Sequence, residues 1–163
     1  MGWWIATIQS SVRAPRLMVP LMKLPLILYR LRLGWLVGHR FMRLTHVGRK
    51  SGKLRHTVLA VLRYDPQVRD VMVVSAWSAS DWYYNIRTTP TLAAETGREC
   101  FAPEQRDLSA EEVATLLDEF RTQHPIVGRI FCRIPGWEFP VSREEVLELA
   151  RSLRGVAFRP KMT

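Results

Sequence analysis

Not one acidic residue precedes Asp65, whereas twelve of the 24 Lys and Arg residues do: Arg13, Arg16, Lys23, Arg30, Arg32, Arg40, Arg43, Arg49, Lys50, Lys53, Arg55 and Arg63. The other twelve cations face all 15 acids, so the formal charge of +9 belongs to the N-terminal part. Such a segment is drawn to phosphate-bearing surfaces: lipid head groups, nucleic acid or a phosphorylated cofactor. Cysteine is nearly absent. Cys100 and Cys132 are too far apart for a ligand or redox spacing, which argues against a metal site and for a reducing, cytoplasmic compartment. Both cysteines read as core residues.

An uninterrupted apolar run is also missing. A transmembrane helix needs roughly 20 apolar residues in a row, but Pro15, Pro20, Pro25, Lys23, Arg30 and Arg32 break the N-terminal stretch. The cations running through it, with no small-residue cleavage site behind them, argue against a secretory signal. Ala6 stands where a myristoylation signal needs a hydroxyl. There is no internal repeat and no low-complexity linker. One domain over 41–163 with a basic amphipathic helical extension over 1–40 is the resulting organisation.

Within the extension, Trp3, Trp4, Leu17, Leu21, Leu26, Leu28, Trp35 and Leu36 alternate with single cations. The clearest amphipathic helix is 21–37. It either lies in an anionic membrane interface, on the inner face, or covers the domain's own core or a dimer partner.

Past the extension, alternation predicts a strand over 41–47 and a second over 54–64, joined as a hairpin. Val71 to Val74 reads as a buried strand. A short helix starts at Ser80 or Asp81 and ends before Pro90, and 91–101 reads as a fourth strand. Ser109–Glu112 and Ser142–Glu145 are capping boxes that open two further helices. The 125–140 segment is apolar but irregular, a short helix or a lid. Val156-Ala157-Phe158 can add a closing strand. Antiparallel strands followed by helices predict an α+β fold around a small barrel or curled sheet.

The chemistry concentrates at Gly48-Arg49-Lys50-Ser51-Gly52 with Arg55 behind it. Glycines let backbone N–H groups approach an anion, and Arg and Lys supply charge-assisted bonds, so the turn suits a phosphate. Equally, it is a solvated hairpin tip. His46 and His56 flank the hairpin, but two histidines with no third ligand make a weak metal site. No Ser-His-Asp or Cys-His arrangement is present, and no catalytic residue can be named.

Three segments in order resemble the deazaflavin-dependent nitroreductase family: Leu44-Thr45-His46-Val47-Gly48-Arg49-Lys50-Ser51-Gly52 through Arg55; Val73-Val74-Ser75-Ala76; and Trp82-Tyr83-Tyr84-Asn85-Ile86-Arg87 with Pro90. The resemblance spans about 41–101. It implies a split β-barrel that uses coenzyme F-420, with hydride transfer from the reduced deazaflavin to a hydrophobic acceptor such as a quinone or nitro compound. It places the coenzyme phosphate on Arg49, Lys50, Ser51, Gly52 and Arg55, and the ring beside Ser75, Ala76, Trp77, Ser78 and Trp82. Trp82 also reads as a core anchor of its helix, and Asn85 as a residue that caps or bridges backbone. Ile126, Val127, Ile130 and Phe131 occupy a region where relatives place tyrosines over the acceptor.

Two alternatives stand beside the F-420 enzyme. FMN phosphate suits the same turn, giving an FMN-dependent split-barrel oxidoreductase. A noncatalytic lipid or fatty-acid binder on the same fold would use the cleft for an apolar chain. Nucleic-acid binding rests on charge alone, and no nucleic-acid module is present, so no nucleic-acid partner is expected. Whether a homodimer forms is open.

Overall fold

In a computed structural model, described for residues 38–75, 80–126, 129, 140 and 142–161, burial alternates residue by residue along β1 (Phe41–Val47). Met42, Leu44 and His46 face inward. β1 pairs antiparallel with β2 (Leu54–Asp65) from Val47↔Leu54 to Phe41↔Ala60, the hairpin read from the sequence. Past Ala60 the twelve-residue β2 turns away from β1 and pairs with β3 (Asp70–Ser75). A register shift between Val61 and Arg63 makes the corner, as a bulge bends a strand and raises its twist.

The remaining strands are β4 (Ala93–Thr96), β5 (Glu99–Phe101), β6 (Pro103–Asp107) and β7 (Arg154–Pro160), giving the order β5-β4-β1-β2-β3-β7-β6. The two edge strands, β5 and β6, are separated in sequence by Ala102 alone. A seven-stranded sheet whose opposite edges are one residue apart has to curl until they nearly meet. The Lys161 N–H donates to the Ala102 carbonyl and ties the end of β7 to this seam. The product is a nearly closed antiparallel barrel, the split-barrel α+β class expected.

The sequence reading does not include β6, and two of its expectations differ from the structure. The expected single strand 91–101 is a hairpin, β4 and β5, turning at Gly97 and Arg98. Gly97 has φ +56°, and a Cβ there would stand 2.9 Å from the His39 ring, so the position favours glycine on both conformational and steric grounds. Cys100, read as a core residue, lies exposed on β5 because that strand is a sheet edge. Cys132 lies outside the described residues, as do 1–37 of the extension with helix 21–37, and most of 125–140.

The barrel interior holds Met42, Leu44, Leu59, Val61, Val71, Val73, Val156 and Phe158. Helix α1 (Asp81–Thr88) contributes Trp82 and Ile86 to the same cluster. A second core lies outside the barrel wall, where α2 (Ala110–Gln123) and α3 (Arg143–Ser152) bury Val113, Ala114, Leu117, Val146, Leu149 and Ala150 against Val74. Both predicted capping boxes form, Ser109 with Glu112 and Ser142 with Glu145. With a core on each face of β3, its apolar run needs no alternation.

Candidate functional site: the hairpin tip on helix α1

The loop between β1 and β2 closes on the Gly48 carbonyl, which accepts from Ser51 N at 3.1 Å and Gly52 N at 2.8 Å, while Gly48 N donates to the Lys53 carbonyl at 2.9 Å. Gly52 completes the loop at φ +63°, a conformation glycine adopts without a Cβ penalty. The expectation that these amides meet an anion is therefore corrected: the N–H groups of Gly48, Ser51 and Gly52 already close the turn. What faces outward is side-chain chemistry. A Cβ on Gly48 would stand 2.8 Å from Ser51 Oγ and 3.5 Å from Arg55 Nε, so those two polar groups converge on one hollow above the glycine.

The tip is docked on α1. Arg49 N–H donates to Asn85 Oδ1 at 3.0 Å, its Nη1 donates to Asn85 Oδ1 at 3.1 Å and to the Asp81 carbonyl at 3.2 Å, and its Nη2 donates to Asp81 Oδ1 at 2.9 Å. Its guanidinium also sits 5.4 Å from the centre of the Tyr84 ring. Of the predicted phosphate residues, Arg49 is thus engaged by α1 while remaining exposed. Lys50, Ser51, Gly52 and Arg55 are exposed, and neither Lys50, Lys53 nor Arg55 has a carboxylate partner among the described residues. Elsewhere arginines are commonly paired, as in Arg43–Glu95, Arg69–Glu99, Arg87–Asp107 and Arg159–Glu104.

The end of β3 reaches the same helix from the other side. Ser75 Oγ donates to Ser80 Oγ at 2.5 Å, and Ser80 is the N-cap of α1. The predicted ring contacts Ala76, Trp77 and Ser78 lie outside the described residues. Trp82 is 7% exposed and meets Tyr83 edge-on, ring centres 6.0 Å apart at 88°. Its role as a core anchor is on view. Beside the end of β3, where Ser75 pairs with Arg154, a cleft of about 250 Å³ is lined by Tyr83, Leu108, Val113, Leu153, Arg154 and Gly155.

Asn85 bridges, as read, but its partners include one the sequence did not reveal. Its Nδ2 lies 3.3 Å from His46 Nδ1, and His46 Nε2 lies 3.1 Å from Thr57 Oγ1. His46 and His56 do not face each other. His46 is 2% exposed on the inner face, while His56 reaches Thr45 on the outer face at 3.0 Å. No cluster of three metal-ligating side chains occurs among the described residues.

Burial chiefly, and then the charges of His56 and Arg55, push His46 below the ordinary imidazole value of 6.5, against a raising contribution from Val47. A histidine harder to protonate folded than unfolded stabilises the native state fully above the unfolded value. That contribution is lost as pH falls through about 6.5 towards the depressed native value. Urea midpoints should therefore fall between about pH 7 and pH 5, and His46→Asn should flatten part of that slope. An unchanged slope in the variant would contradict this assignment.

Comparison with known proteins adds the following. No curated protein matches the chain. Among solved structures, an F-420-H(2) dependent reductase aligns at 16% identity, covering 75% of this chain and 96% of its own, with TM-score 0.47. A conserved hypothetical protein from Mycobacterium tuberculosis aligns at 11% identity, covering 81% and 80%, with TM-score 0.49. An FMN-binding protein related to pyridoxamine 5'-phosphate oxidase, from Nostoc punctiforme, aligns at 15% identity over 98% and 81%, with TM-score 0.45. The family model described as F-420H(2)-dependent quinone reductase matches residues 26–128, a span that includes the hairpin tip, β3 and all of α1. The chain belongs to the F-420H(2)-dependent quinone reductase family.

Proposed function

We infer that F-420 lies across the N-terminal end of α1, its phosphate on the hairpin tip and its ring towards the end of β3. The observation that carries this reading is convergence: the tip docks at Asp81 and Asn85, and Ser75 docks at Ser80, so one helix end joins the two halves of the site. The donor set fits the phosphate. Ser51 Oγ and Arg55 Nε converge beside Gly48, where a side chain would crowd them, and the exposed Lys50 lies on the same turn. Charge-assisted bonds from such groups are short and strong. Arg49 supports them from beneath by pinning the turn. Ser75, Ala76, Trp77, Ser78 and Trp82 would border the ring, with Trp82 fixed by its packing in the barrel core.

The family makes this an F-420-dependent oxidoreductase acting on a hydrophobic quinone. Neither the FMN enzyme nor the noncatalytic lipid carrier is favoured by that membership. When bound, the reduced deazaflavin supplies the hydride. The chain's share is to hold the coenzyme and to seat the acceptor. The cleft at Tyr83, Leu108 and Leu153, next to Arg154, adjoins the end of β3 and is the place we assign to the acceptor. Mixing the protein anaerobically with reduced F-420 and a short-chain quinone should regenerate oxidised F-420 at a rate proportional to enzyme. Regeneration no faster than the enzyme-free mixture would reject the reading.

The extension over 1–40 accounts for access to such an acceptor. Its aromatic and aliphatic residues interleaved with cations suit an anionic membrane surface, each cation adding about 1 kcal/mol near the lipid. The full chain should sediment with phosphatidylglycerol vesicles and be released at high salt. Equal binding to neutral phosphatidylcholine vesicles would argue for simple apolar adhesion instead.

A further inference from the structure

Asn85 is buried, 6% exposed, yet it sits among donors. Arg49 N and Arg49 Nη1 both point at Oδ1, and neither nitrogen can accept. Asn85 must therefore turn its carbonyl to the hairpin tip and its NH₂ to the barrel interior. Inside, Nδ2 meets His46 Nδ1, which has to be the bare, accepting nitrogen. The imidazole proton then sits on Nε2 and is donated to Thr57 Oγ1. With Nδ1 bare, hydrogen bonds run from Thr57 in the barrel through His46 and Asn85 to Arg49 at the tip, the arrangement of a neutral His46.

Protonation of Nδ1 would set an N–H against the Asn85 NH₂. The amide could satisfy the imidazolium only by turning over, which presents NH₂ to Arg49 N–H and its guanidinium. Arg49 would keep Asp81 and the Tyr84 face but lose both bonds to Asn85. We propose that Asn85 is the positioning residue of the phosphate turn, and that neutral His46 sets its orientation, so that F-420 affinity falls when His46 is protonated. This deepens the F-420 reading above and rests on it.

The Val47 backbone also hydrogen-bonds His46 and favours its protonated form, and none of the other groups around the ring supplies that behaviour. β2 presents Arg55 and His56 beside it, and α1 presents Asn85, with Asp81 already paired to Arg49. β4 brings Ala93 and Ala94, and its Glu95 is paired with Arg43. Plain electrostatics gives the opposite sign: an anion near Arg55 favours a protonated His46, so by reciprocity binding would tighten on acidification. The direction of the pH effect therefore separates the two accounts.

The experiment is an F-420 fluorescence titration at about pH 7.5 and at a lower pH, about 4.5 or wherever nitrogen-15 NMR shows His46 protonated, because burial holds the ring below the ordinary imidazole value. The dissociation constant of the parent should rise at least roughly fivefold at the lower pH, whereas His46→Asn, whose Oδ1 replaces the Nδ1 acceptor, should stay within about twofold. Asn85→Asp, which keeps an acceptor towards Arg49 and offers another to a protonated His46, should retain binding at the lower pH. Equal slopes in the parent and His46→Asn, or tighter parent binding at the lower pH, would overturn the proposal. Should the parent bind no F-420 at either pH, the reductase reading fails. The relay is then read by nitrogen-15 NMR of the parent, which should show the Nε2–H tautomer and an Arg49 amide that shifts as His46 titrates. An Nδ1–H tautomer, or an Arg49 amide indifferent to His46, would overturn it without any variant.

Discussion

Trp82→Ala destabilises the protein by about 3 to 5 kcal/mol, the usual range for deleting a buried large aromatic. The indole is shared by α1 and the barrel interior, packed with Met42, Leu44, Leu59 and Phe158 in one cluster. Removing it leaves a cavity that α1 alone cannot collapse, because Asp81 and Asn85 hold the helix to the hairpin tip and Gln105 Nε2 donates to the Ile86 carbonyl at its other end. A urea denaturation curve reads the loss as a shifted midpoint. Trp82→Phe keeps most of the ring and should cost well under half as much. A loss below about 1 kcal/mol in the alanine variant would show that Trp82 is not the anchor of α1.

The second large effect is on binding. Lys50→Ala combined with Arg55→Ala should weaken F-420 at least tenfold, about 1.4 kcal/mol, while leaving stability close to the parent's. Both side chains are exposed and have no carboxylate partner among the described residues, so folding loses little with them. An exposed cation without a partner contributes little to stability, but it meets an incoming anion with nothing to displace. Arg49→Ala should behave differently. Its loss removes the ties to Asp81 and Asn85, so the thermal midpoint and F-420 affinity should fall together.

The hairpin could be read from the sequence because the inward positions Met42 and Leu44 alternate with half-buried ones, and because glycines punctuate the turn. Both capping boxes carry their signal in four consecutive residues and form as read. β6 carries no such signal. Pro103-Glu104-Gln105-Arg106-Asp107 is polar nearly throughout, and it becomes a strand because β7 offers Phe158 and Ala157 as register partners. Gly97 splits the stretch 91–101 because the ring of His39, 58 residues earlier in the numbering, fills the space a side chain would need. The sequence offers Arg49 as a phosphate ligand but does not show that Asp81 also lies against the turn. For the same reason His46 looked like half of a weak metal pair, when strand alternation sends His56 to the opposite face.

The most direct test of the account is whether the purified full-length chain binds F-420. Titrating the coenzyme's fluorescence with protein should give saturable binding with a dissociation constant in the micromolar range, roughly 8 kcal/mol of affinity. No saturation at protein concentrations approaching a millimolar would contradict the assignment of the hairpin tip as a phosphate site.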